Sequence, residues 1–79
     1  YPNPFNPSTT ISYSIEKYGI VELIVYDIQG RKVATLVNDY HDKGTYDITW
    51  DASGLSTGVY ILHMMSGEYV STQKLMLIK

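Results

Sequence analysis

The sequence predicts an all-β protein, an antiparallel β-sandwich of six to seven strands, on three observations. Apolar residues recur with a period of two along most of the chain, which places alternate side chains on one face of a strand. Turn residues interrupt that alternation every eight to twelve residues. No stretch of ten or more residues carries apolar positions at helical spacing.

The chain opens YPNPFNPST, and its three prolines all fall here, at Pro2, Pro4 and Pro7. Proline has no N–H, fixes φ and drives the preceding residue toward extended geometry. Tyr1 to Pro7 therefore reads as a stiff lead-in, not an interior strand, and residues 1–9 form an extended proline-rich entry with aromatics at Tyr1 and Phe5.

From Thr10 to Glu16, Ile11, Tyr13 and Ile15 alternate with Ser12, Ser14 and Glu16, the pattern of a half-buried strand. Tyr18-Gly19 marks a turn. Val21, Leu23 and Val25 then form one face of a second strand, with Glu22, Ile24 and Tyr26 on the other. That other face is more apolar than solvent requires, so either the lead-in covers it or it is a contact surface.

Asp27-Ile28-Gln29-Gly30 is a four-residue turn with glycine available for positive φ. In the next strand Val33 and Leu36 are the buried positions, and their spacing of three predicts a bulge. Asn38 to Gly44, NDYHDKG, reads as a polar loop. Tyr46, Ile48 and Trp50 alternate with Asp47 and Thr49 in a clear strand. Asp51 to Gly58 is turn-rich, with Leu55 dipping back to the core. Tyr60, Leu62 and Met64 face one way in the following strand and His63 the other. Ser66-Gly67 turns the chain into a last strand within residues 69–79. These are six strands, with a seventh possible near the N-terminus, and the rhythm is that of an immunoglobulin-like sandwich filling a single domain, 1–79.

A chain of 79 residues buries only about 60–65% of its unfolded surface, so modest stability is expected. It has no cysteine, hence neither a disulfide nor a thiolate metal site. A net charge of −2 with scattered Lys and Arg offers no footprint for nucleic acid or anionic lipid. The apolar runs are too short to span a bilayer, and no signal peptide opens the sequence. The chain reads as a piece of a larger protein, with any export signal upstream.

Catalytic chemistry finds little support. His41 is expected in a loop and His63 on a solvent face, neither with a carboxylate or serine at triad spacing. Asn38, Asp39 and Asp42 crowd oxygens near one loop, but they lack the alternating ligands and closing glutamate of a calcium loop. The glycines at 30, 44, 54, 58 and 67 are spread among turns, not gathered into a phosphate cradle. No small-molecule substrate and no cofactor are therefore expected. Eight tyrosines and Trp50 would suit a sugar-stacking platform, yet Tyr13, Tyr46, Trp50 and Tyr60 fall in the inward phase of their strands and read as core. Tyr1, Tyr40 and Tyr69 are the ones expected at the surface.

The C-terminus is the sharpest functional signal: Lys74, four apolar residues, then Lys79. A hydrophobic strand at a free chain end is exposed to other chains, and most soluble domains avoid one.

Together, YPNPFNPST at 1–9, V-x-L-x-V-Y-D-I-x-G-R-x-V from Val21 to Val33 with Leu36 after it, G-T-Y-D-I-T-W-D at 44–51, L-S-T-G-V-Y-I at 55–61 and the terminal Q-K-L-M-L-I-K resemble the C-terminal sorting domain of the type IX secretion system. The resemblance covers essentially the whole chain in order. The immunoglobulin-like domain of the flagellar hook-capping protein shares the YDxxGRxV and GxYxxxW elements and is similar too.

The sorting-domain resemblance implies a non-catalytic address at the C-terminus of an upstream cargo that reaches the periplasm by an ordinary export signal. The translocon and its shuttle protein recognise the address, the cargo crosses the outer membrane to the surface or the medium, and a sortase removes the domain from many cargoes. By position, the recognition segment is Lys74, Leu75, Met76, Leu77, Ile78 and Lys79; Gly58 and Tyr60 match positions of structural character. In physical terms, the last strand lies on a sheet edge and pairs with a receptor strand. One of the pairs Leu75/Leu77 and Met76/Ile78 packs on the core while the other enters the partner, and the lysines limit self-association. A bland alternative is that all four residues complete the sandwich, and deletion of Leu77 to Lys79 is expected to separate the two. Two other functions stand beside the address: a self-associating adhesion or assembly module, and a carbohydrate-binding accessory domain.

Overall fold

The computed structural model describes residues 7–78. Tyr1 to Asn6, where a seventh strand was possible, and Lys79 lie outside the described residues. Six strands, β1 (Ser8–Ile15), β2 (Gly19–Asp27), β3 (Lys32–His41), β4 (Gly44–Asp51), β5 (Gly58–Ser66) and β6 (Tyr69–Leu77), follow one another with no helix among the described residues. They build two antiparallel sheets, one of β1-β4 and one in the order β3-β2-β5-β6. This is an immunoglobulin-like β-sandwich.

Alternation explains each strand. In β1, Ile11, Tyr13 and Ile15 are buried while the intervening serines are exposed. Val21, Leu23 and Val25 of β2 have no accessible surface, and they meet Tyr60, Leu62 and Met64 of β5 and Leu75 and Leu77 of β6 in one core cluster. Trp50 of β4 and Ala52 just beyond it close that cluster from the smaller sheet. Burying such a set supplies the main favourable term, about 1.5–3 kcal/mol for each large side chain removed from water.

The bulge expected in β3 occurs twice. Along β2, Leu23, Ile24, Val25 and Tyr26 oppose Val37, Thr35, Ala34 and Lys32, so the register skips Leu36 and Val33. Each skipped residue still packs against the core. An extra residue in one strand re-aims side chains and lets neighbouring residues reach the same face, which a strict period of two forbids.

The polar loop expected from Asn38 to Gly44 is corrected. β3 continues to His41, with Asn38 opposite Glu22, Tyr40 opposite Ile20 and His41 opposite Gly19; only Asp42 and Lys43 remain between strands. The ladder to β2 satisfies this backbone, and an edge strand tolerates polar side chains because they stay in water. His41 is therefore a strand residue.

His63 is corrected as well. It is half-buried, lies between Ile24 and Thr72 in register, and meets the Tyr26 ring edge-on at 6.2 Å. Strands on both sides of β5 shield it, and its Nε2 has no hydrogen-bond partner in the structure.

The Asp27–Gly30 turn forms as expected. Gly30 N–H donates to the Asp27 carbonyl at 3.0 Å, and Gly30 takes φ of 86°. The β5–β6 hairpin turns on Gly67 and Glu68, with Ser66 opposite Tyr69 and only the glycine at positive φ, 62°. Glycine at the first central position marks a type II′ turn, whose twist matches the flanking strands.

Candidate functional site

The hairpin turn sets the register of β6, and hence which face each of its residues takes. Tyr60 opposes Leu75 and Gly58 opposes Leu77, so these leucines point between the sheets and are fully buried. Lys74 and Met76 alternate to the outer face, opposite Ile61 and Val59. Met76 is 42% exposed and Ile78, just past the strand, 41%. Of the two apolar pairs expected in this segment, Leu75/Leu77 is thus the one committed to the core. Lys79 lies outside the described residues.

Among the described residues β6 has β5 as its one neighbour in the sheet, so it is an edge strand there. Its far side is where another strand would continue the sheet, and lysine near such an edge opposes indiscriminate pairing.

The surface beside β6 includes residues that reading the C-terminal segment alone misses. Val59 and Ile61, half-buried on β5, flank Met76 and Lys74, and Ile61 in turn opposes Tyr26 of β2. The signal was present in the sequence, because Val59 and Ile61 occupy the outward phase of a strand whose inward phase is Tyr60 and Leu62.

One layer runs across the sandwich near the end of β6. Thr9 opposes Trp50, Trp50 meets Tyr60 edge-on at 6.0 Å, and Tyr60 opposes Leu75. The Ala52 N–H donates to the Pro7 carbonyl at 2.9 Å, which continues the β1–β4 ladder past Ser8. Pro7 and Leu77 consequently sit at the same pole of the molecule.

The other candidates separate. Tyr13, Trp50 and Tyr60 are buried and Tyr46 is half-buried, as core residues should be. Tyr40 and Tyr69 are exposed, and Tyr18, not foreseen, stacks on Tyr40 with centroids 5.5 Å apart. Asn38 and Asp39 are consecutive on β3 and so project to opposite faces, while Asp42 lies past its end. Among the described residues no cluster of three or more His, Cys, Asp and Glu is placed to hold a metal ion. His41 meets Tyr13 from the other sheet, its Nε2 2.9 Å from the tyrosine hydroxyl, and its ring lies 4.4 Å from that of Tyr46. Burial, reinforced by the neighbouring Tyr46, pushes the Tyr13 phenol above its usual range. This trio ties β3 to the smaller sheet.

Fold and edge together define a small immunoglobulin-like module whose last strand, β6, is paired on one side among the described residues. Over residues 1–79 the chain matches the family model described as a secretion system C-terminal sorting domain, and it belongs to that family. No curated protein matches the chain. The domain is thus a C-terminal sorting signal of the type IX secretion system. Membership implies an upstream cargo, interaction with the secretion machinery, and export to a secreted or cell-surface location.

Proposed function

We propose that the type IX translocon reads this domain through β6, with Lys74, Leu75, Met76, Leu77, Ile78 and Lys79 as the recognition segment. The observation that carries this reading is the split along the strand: Leu75 and Leu77 are fully buried, while Met76 and Ile78 remain about two-fifths exposed on an edge. The leucines hold the strand in one register on its own domain. Main-chain groups along the edge pair with a receptor strand, and Met76 and Ile78 enter its pockets. The shuttle protein binds the same edge during transfer, and a surface sortase acts on the chain upstream of the sandwich. The domain itself is substrate and not catalyst. The likeness to the flagellar hook-capping domain is one of architecture, a shared sandwich put to a different use.

The test fuses the 79 residues to the C-terminus of an exported fluorescent protein in a bacterium with a type IX system. Surface or medium fluorescence is expected from the natural sequence, and periplasmic retention from a Met76→Ser, Ile78→Ser double variant that still folds. Export of that variant at the natural level overturns the strand reading. A domain that self-associates and is not exported favours the adhesion module instead.

A further inference from the structure

Consecutive residues of a strand alternate in two respects. Their side chains leave opposite faces, and their main-chain N–H and C=O groups leave opposite edges. The hairpin turn fixes this second alternation along β6. Gly67 and Glu68 make a two-residue loop, so Ser66 and Tyr69 beside it form a hydrogen-bonded pair. Counting on by twos, Ser71, Gln73, Leu75 and Leu77 direct their main-chain groups to β5.

The far side of the sheet carries the same phase. The Asp27 N–H donates to the Arg31 carbonyl at 2.9 Å, on the β3 side of β2. Tyr26, Ile24 and Glu22 therefore turn to β5, where they oppose Ile61, His63 and Met65. Tyr60, Leu62 and Met64 are then the residues of β5 that bond β6, opposite Leu75, Gln73 and Ser71. Val70, Thr72, Lys74 and Met76 accordingly direct their main-chain groups to the outer edge of β6, and the same four carry the outward side chains.

Within β6, the segment from Lys74 onward thus supplies only Lys74 and Met76 in the outward phase. Two residues make a short ladder for strand addition, whose affinity comes from main-chain hydrogen bonds. Val70 and Thr72 double it. They are exposed, and no strand among the described residues lies alongside them on that edge. Val70 is 54% exposed and opposes Met65 of β5, itself 37% exposed, so an uncovered apolar pair lies beside this part of the strand.

We infer that Val70 and Thr72 are further specificity-determining residues of the domain. The receptor strand runs past Lys74 toward the β5–β6 turn, pairs with the main chain of Val70 and Thr72, and lays an apolar or β-branched side chain on Val70 and Met65. This rests on the reading of β6 as the recognition strand and extends it upstream of residue 74. Ser71 and Gln73, in the opposite phase, offer the receptor neither side chain nor main chain.

The fluorescent fusion tests this with single substitutions, each checked for folding by thermal denaturation. Thr72→Pro removes an N–H aimed at the outer edge and spares the ladder to β5, a setting in which proline is tolerated. Its export should fall about tenfold, the worth of one hydrogen bond, while Thr72→Val keeps the N–H and exports normally. Val70→Ser should lower export severalfold and Val70→Ile should preserve it. Ser71→Ala and Gln73→Ala should export at the natural level, although a role in packing would weigh more on these half-buried residues. In NMR hydrogen exchange on the free 79-residue domain, the Val70 and Thr72 amides should exchange about a hundredfold faster than those of Ser71 and Gln73.

Natural export of either folded variant, Val70→Ser or Thr72→Pro, overturns the inference; if the Met76→Ser, Ile78→Ser variant is still retained, the reading of β6 stands without it. Natural export of that double variant sinks both. Equal loss in Ser71→Ala or Gln73→Ala also overturns the inference, by making the stretch structural. So does slow exchange of Val70 and Thr72 in the free domain, which would mean an edge already filled by the chain's own lead-in or, where protection rises with concentration, by a second copy. Should Thr72→Pro fail to fold, the contrast between Val70→Ser and Val70→Ile decides.

Discussion

The Tyr60 hydroxyl donates to the Ser56 carbonyl at 2.6 Å, anchoring the start of β5 to the loop that enters it. Tyr46 repeats the contact at β4, donating to the Asp42 carbonyl at 2.6 Å. Each tyrosine follows a glycine by two, in Gly44-Thr45-Tyr46 and Gly58-Val59-Tyr60, and reaches back four residues. Both strands begin where the chain crosses between sheets, so these bonds fix two crossings on which the topology depends. Tyrosine corners of this kind are a hallmark of immunoglobulin-like sandwiches.

Tyr60→Phe should therefore lower stability by about 1 kcal/mol, the net worth of one buried hydrogen bond. In a domain of this size that is a fall of about 4–8 °C in Tm, read by thermal denaturation. Tyr46→Phe should cost less, because its contact is exposed.

Leu77→Ala and Met76→Ala should part company although the residues are adjacent. Leu77 is fully buried, and its truncation should cost about 2–5 kcal/mol, a large share of the total stability of so small a domain. Met76→Ala should shift the urea midpoint far less, because much of its side chain is already in water. For the same reason, deleting Leu77 to Lys79 does not separate recognition from packing, since it removes a core residue along with the surface.

Gly30→Ala should destabilise by about 1–2 kcal/mol even though a Cβ there meets nothing within 4 Å, since Gly30 holds φ of 86° and a side chain is strained in that conformation. Gly54→Ala, where a Cβ also meets nothing within 4 Å and the backbone is not in that region, should be close to neutral. Paired urea melts check the contrast.

The Asp27 carboxyl is held below its ordinary value of 3.8, chiefly by the Arg31 backbone N–H, with the Arg31 side chain and the Gln29 N–H adding to it and burial opposing. A depressed folded-state pKa favours folding above the unfolded value, and that contribution fades as pH falls from about 3.8 through the lower folded one. The stability gap between the natural protein and Asp27→Asn should therefore narrow between neutral pH and pH 3 in denaturant titrations.

The strand faces of β1, β2, β4 and β5 were legible because burial there follows a period of two that the sequence displays directly, from Ile11, Tyr13 and Ile15 to Tyr60, Leu62 and Met64. Leu36 and Val33 betrayed the bulges by breaking that period. Asn38 to His41 misled, because polar residues signal a loop only when the backbone lacks another partner, and here β2 supplies one. The outer setting of His63 was hidden for a related reason: whether an outward side chain is wet depends on the strands beside it.

The sequence by itself determined the strands, their inward faces, most of the turns and the family, since these rest on local alternation, glycine and proline chemistry and a set of ordered motifs. Only the tertiary structure decided that β6 is an edge among the described strands and that Leu75 and Leu77 face the core while Met76 and Ile78 face out. Those facts concern which strands are neighbours. Neighbours are chosen by pairing between distant segments, Ser8 with Asp51 or Gly58 with Leu77, which no local pattern records.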